Sequence, residues 1–118
     1  MNELSDIIAE NSFADSWVDM QSRVHSTAVS KGWWDTPRSD GECIALIHSE
    51  LSEALEALRN NNPPDDKIPA LSGAEAELAD VVIRIMNFAQ RKNWNIAGAI
   101  ITKNRFNKTR PVRHGKLF

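Results

Sequence analysis

The sequence predicts an all-α fold, a bundle of about four helices, in a single domain over residues 1–118. Apolar residues recur at steps of three and four along most of the chain, which is the helical period. Two Ser-x-x-Glu signatures, Ser39 with Glu42 and Ser72 with Glu75, stand directly before such stripes, where a serine side chain can cap the first free N–H groups of a helix. Alternation of period two competes nowhere over a useful length, and the chain contains neither an internal repeat nor a low-complexity block.

The first helix is expected from Phe13 through Trp17, Met20, Val24 and Ala28, ending near Lys31 and Gly32, because glycine suits a helix stop. A turn then carries Trp33, Trp34, Asp35, Thr36 and Pro37. Ser39 opens the second helix, whose inward stripe reads Ile44, Ile47, Leu51, Ala54, Leu55 and Leu58, up to the Asn60, Asn61, Asn62, Pro63, Pro64 run. A loop to Leu71 leads into the third helix, capped by Ser72 and reaching about Arg91, with Leu78, Val81, Val82, Ile85, Met86, Phe88 and Ala89 inward. The fourth runs from Asn95 to about Asn107 with Ile96, Ile100, Ile101 and Phe106 inward, despite the weak helix former Gly98. The tail from Lys108 is expected to be irregular.

Composition narrows the class. With 42% hydrophobic and 25% charged residues the chain is ordinary for a globular domain. Its one cysteine, Cys43, allows no internal disulfide and no zinc cluster. Residues Met1 to Glu10 carry acids where a secretory leader wants a basic start, and no stretch is long enough to span a bilayer, so a cytoplasmic protein without membrane contact is expected. Charge is strongly segregated: residues 1–80 hold all 16 acids against five Lys or Arg, net −11, and residues 81–118 hold nine Lys or Arg, net +9. The two parts can neutralise each other or converge on a ligand that needs both signs, such as a metal-complexed polyphosphate. A pI near 5.9 disfavours nucleic acid as a partner.

Glu50 with Glu53 and Glu77 with Asp80 form i, i+3 carboxylate pairs on two separate helices. At about 100° per residue both pairs fall at the border of the apolar arc, whereas Glu56 turns toward solvent. Carboxylates at a core border are costly unless compensated, and four together call for a cation. Ligation by oxygen alone favours Mg²⁺, or Mn²⁺, over zinc or copper. A di-iron bundle would need Glu-x-x-His, and none of the three histidines has an acid three residues before it. The spacing by itself is weak: Glu3 with Asp6 and Glu53 with Glu56 repeat it, and such pairs usually line a solvated face. Position at the apolar border, occurrence on two helices and the basic segment downstream distinguish the four.

These motifs, Glu50-Leu51-Ser52-Glu53 and Glu77-Leu78-Ala79-Asp80, together with Lys31-Gly32-Trp33-Trp34-Asp35 upstream and Asn107 to Pro111 with Arg113 to Lys116 downstream, resemble the MazG-like nucleoside triphosphate pyrophosphohydrolases, a group similar to dCTP pyrophosphatases and dimeric dUTPases. The resemblance covers about His25 to Lys116. It implies Mg²⁺-dependent hydrolysis of (deoxy)nucleoside triphosphates between the α and β phosphates, giving a monophosphate and pyrophosphate, in the service of nucleotide-pool housecleaning. It makes Glu50, Glu53, Glu77 and Asp80 the metal ligands and catalytic groups that ready the attacking water. Lys103, Asn104, Lys108, Arg110, Arg113 and Lys116 become candidates for phosphate binding, and His25, Trp33 and Trp34 for the base. The two tryptophans are adjacent and cannot both enter one core, which frees one to stack on a nucleobase. The family's oligomers imply a homodimer or homotetramer, in keeping with four tryptophans and long apolar stripes on a short chain. Two alternatives remain at this stage: a phosphoribosyl-ATP pyrophosphatase-like activity, and a non-catalytic helical interaction module whose acids are surface charge.

Overall fold

The computed structural model describes residues 2–117 and contains four α-helices: α1 (Glu3–Ser30), α2 (Asp40–Arg59), α3 (Gly73–Lys92) and α4 (Ile96–Asn107). A short 3-10 turn over Val112–Gly115 follows within the tail. Among the described residues there is no strand, only an isolated bridge between Pro64 and Ser72. No helix of the described residues is long and apolar enough to cross a membrane.

Helix α1 starts at Glu3, well before Phe13. Asn2 caps it by accepting the Ser5 N–H at 2.8 Å, and Glu3 and Asp6 place negative charge in the first turn, where the helix dipole favours it. The caps expected for the next two helices form. Ser72 and Glu75 make a reciprocal box; Ser39 accepts from the Glu42 N–H, while the Glu42 carboxylate turns to Arg38 at 2.6 Å instead.

Helices α2 and α3 run antiparallel, tied at one end by Lys92 to Asp40 at 3.0 Å and closed at the other around Gly73. The asparagine run makes that closure. Asn61 and Asn62 take left-handed φ of 64° and 50°, which asparagine tolerates. The Asn62 side chain then accepts the Ala74 N–H at 2.8 Å, and Gly73 N donates to Pro63 O at 2.7 Å. Asn93, also left-handed, ends α3. Helix α1 packs across α3, and α4 returns against α1. Gln21, buried on α1, accepts from the Trp17 indole and donates toward Gln90 and Trp94 O, so its amide is satisfied.

The stripes correct the expected core. Buried apolar residues are Cys43, Ala54, Ala74, Met86, Phe88, Ala89 and Ala97, mostly small, with Phe88 edge-on to Trp94. Ile44, Leu51, Leu55 and Leu58 of α2, Leu78 and Val82 of α3, and Ile100 and Phe106 of α4 are exposed in the single chain. The reason is that α2 and α3 meet through a narrow small-residue seam, leaving their larger side chains on a second, uncovered face. The chain exposes 8744 Å², against about 6400 Å² for a folded monomer of 13.2 kDa. Its radius of gyration of 16.9 Å likewise exceeds the roughly 13.5 Å of a compact domain this long.

Candidate active site

Antiparallel packing of α2 on α3 brings the two acidic pairs together. Oxygens of Glu50, Glu53 and Glu77 lie within 4.8 Å of one another. Asp80, one turn further along α3, stays outside that group of three but shares a cavity of about 530 Å³ with all of them and with Asp65 and Asp66 of the loop. Glu50 is buried, Glu77 half-buried, and Glu53 and Asp80 exposed.

Electrostatics explain what this arrangement lacks. Glu50 Oε1 accepts from Arg84 Nε at 3.0 Å, but Glu50 Oε2 and Glu77 Oε2 are buried and, while both carboxyls are ionised, meet no hydrogen-bond donor among the described residues. Buried carboxylate oxygens are rarely left so. Glu77 is pushed up to about 8, first by sharing a proton with Glu50, then by burial and by the charge of Glu53. Burial also pushes Glu50 upward, but hydrogen bonds with Glu77, Arg84 and Glu53 outweigh it and hold Glu50 below the usual carboxylate range. Asp80 is raised by burial and then by the Glu50 charge, against which Arg84 pulls it down. A divalent cation held there would satisfy both oxygens and relieve the mutual repulsion, so the donor set fits a hard ion such as Mg²⁺ or Mn²⁺.

Against these acids lies a second cavity of about 370 Å³, between α1, the tryptophan turn and α3, with Glu50, Asp80, Arg84, Asn87, Lys31 and Trp33 in its wall. Trp33 is half-buried, with the Arg38 guanidinium 3.6 Å from its ring centre and that of Arg84 at 5.3 Å. Trp34 points elsewhere, donating its indole N–H to Asn87 Oδ1 at 2.9 Å, and His25 Nδ1 reaches the same oxygen at 3.0 Å. Trp33 thus lines this cavity, while Trp34 and His25 meet at the Asn87 oxygen.

The basic candidates do not join them within one chain. Asn104 and Lys108 line a cavity with Glu3, Asp6 and Glu10 near the start of α1. Lys103 and Arg110 lie over the Phe106 ring, Arg113 donates to Leu117 O, and Lys116 is exposed. The cations that do border the acids are Arg84, Lys31 and Lys67. Arg84 and Asn87 escaped the sequence reading, although Glu77, Asp80, Arg84 and Asn87 continue one face of α3 at i, i+3, i+7 and i+10. No family model, curated protein or solved structure matches the chain.

Proposed function

We propose that the chain is a divalent-cation-dependent nucleoside triphosphate pyrophosphohydrolase, adding water across the α–β phosphoanhydride to give a nucleoside monophosphate and pyrophosphate. One observation carries the reading: carboxylates from two helices converge with two buried oxygens that no described group satisfies. Bound there, Mg²⁺ or Mn²⁺ supplies Lewis acidity, lowering the pKa of water and drawing charge from phosphoryl oxygens. Glu50 and Glu77 hold the ion from the buried side, and Asp80 completes the set from the cavity wall. Glu53, exposed and closest to solvent among the converging three, takes the proton of the attacking water. Arg84 anchors Glu50 and, with Lys31, meets the incoming phosphates, where positioned cations absorb developing charge.

The same reading includes a homo-oligomer. The exposed area exceeds that of a compact monomer by about 2300 Å², an area of the size that permanent subunit interfaces cover. A second copy matches the uncovered apolar face of α2 and α3. Sedimentation showing a folded, active monomer would remove this part and leave the chemistry standing. The interaction-module alternative accounts for that apolar face but not for the orphaned oxygens.

The test is product identity. With Mg²⁺ and a panel of triphosphates, including phosphoribosyl-ATP, the protein releases pyrophosphate, and Glu53→Gln loses that release. Orthophosphate as the sole product, or an unaffected variant, rejects the assignment.

A further inference from the structure

The cavity beside the carboxylates contains one group whose polarity the fold dictates. Asn87 is only 9% exposed, yet it lines this cavity. Its neighbour Trp34 presents an indole N–H 2.9 Å away, and such a group only donates. The Asn87 atom facing it must therefore be the carbonyl oxygen. That oxygen also meets His25 Nδ1 at 3.0 Å, which obliges the imidazole to carry its proton on Nδ1. Both lone pairs of Oδ1 are then engaged. What Asn87 retains for a ligand is Nδ2, with two hydrogens and no bond to any described residue.

Position along α3 relates this donor to the acids. Asn87 follows Asp80 by seven residues, about 10 Å of helix rise, which is the reach of a nucleoside from its α-phosphate to the far edge of its base. Between them the wall is formed by Ile83 and Arg84, and Trp33, Val24 and Ala28 close the apolar side. The acids define one end, and a fixed, buried donor in apolar surroundings the other.

Building on the pyrophosphohydrolase reading, we infer that this cavity reads the nucleobase and that Asn87 makes it select bases presenting a carbonyl oxygen. Uracil, thymine and guanine offer such an oxygen to Nδ2. Adenine carries an exocyclic amine where these bases carry that oxygen, so an Nδ2 aimed at that position meets a donor and pairs only by shifting to a ring nitrogen. Cytosine, with one carbonyl and one amine, falls between. Trp34 and His25 act as positioning residues that prevent the amide from turning over to suit an amine.

The experiment compares kcat/KM for dUTP, dTTP and dGTP with that for dATP, alongside metal-free binding of dTMP and dAMP followed by tryptophan fluorescence. The keto substrates and dTMP are expected to be preferred by about 10- to 100-fold, the scale of one buried donor left unpaired. Asn87→Asp, of the same shape, places an acceptor where Nδ2 stood and moves the ratio toward amino-bearing bases. Trp34→Phe frees the amide to turn over and narrows the ratio, so it serves where the aspartate variant does not fold. Equal turnover of all bases, or a ratio that neither variant moves, overturns the inference and leaves the hydrolase intact. Keto-selective binding without pyrophosphate from any triphosphate overturns the hydrolase and leaves the pocket. Neither binding nor turnover overturns both.

Discussion

Acidic pairs of identical spacing meet opposite fates in this fold. At the start of α1, Glu3, Asp6 and the nearby Glu10 face Asn104, Arg105 and Lys108 of α4, and Arg105 makes two hydrogen bonds to Glu10. Between α2 and α3, Glu50, Glu53 and Glu77 face one another, with Arg84 alone paired to Glu50. In the first region Arg105 pairs with Glu10 while Glu3 and Asp6 lie in the open first turn of α1; in the second the carboxylates face one another. What separates a solvated charged face from a candidate site is thus the opposing helix and not the i, i+3 pattern.

If the distinction is right, the two regions respond very differently to the same change. The largest difference is expected in turnover: Glu53→Gln lowers pyrophosphate release by about 10²- to 10⁴-fold, the usual worth of a positioned general base. Glu10→Gln leaves turnover unchanged. Steady-state assays of the two variants side by side check this, and equal losses would erase the contrast.

Next comes the response to metal. At a hundredfold excess over its dissociation constant, Mg²⁺ or Mn²⁺ contributes about 2.7 kcal/mol by mass action, roughly a 10 °C rise in melting temperature for a chain this size. Glu50→Gln and Glu77→Gln abolish the rise, while Arg105→Ala retains it. Differential scanning fluorimetry with EDTA and with added metal makes the comparison.

A smaller effect concerns pH. Glu77 binds a proton in the folded state up to about 8 but releases it near 4.5 when unfolded, so between those values the native state holds the extra proton. Stability from this group is therefore complete below about 4.5 and falls as pH rises through about 8. Metal-free melts across that range should show the decline, and Glu77→Gln should flatten it. At the α1–α4 end, burial is slight and Arg105 lowers the Glu10 carboxyl through its hydrogen bonds, so stability there is lost only as acid is added. Smallest of all is the contribution of that exposed ion pair, which high salt screens; a salt titration of melting temperature in Arg105→Ala reads it.

Local signals carried the fold far. The Ser39 and Ser72 caps, the asparagine run and the alternation of apolar and polar residues located three helix starts, because these devices act within a few residues of themselves. The early start of α1 is encoded equally locally in Asn2, Glu3 and Asp6, but the apolar stripe that marks the helix in the sequence begins only at Phe13. The large apolar residues misplaced the core. Periodicity puts Leu51, Ala54 and Leu55 on one stripe, but does not tell that α3 approaches α2 through Ala54 and Gly73 and leaves the leucines outside. The i, i+3 pattern on two helices singled out Glu50, Glu53 and Glu77, which the fold brings together, and Asp80, which shares their cavity. Arg84 and Asn87 were not legible in it, since their meaning depends on partners 34 and 53 residues away.

Gly73 sets how closely the two acid-bearing helices approach each other. A methyl there would sit 3.0 Å from Ala57 Cβ and 3.3 Å from the Pro63 carbonyl, and Ala57 and Gly73 lie one turn from Glu53 and Glu77 respectively. The missing side chain therefore works as the pivot of a calliper whose jaws are the carboxylates. A single added carbon at that pivot would push the two helices apart and spread the carboxylates they carry.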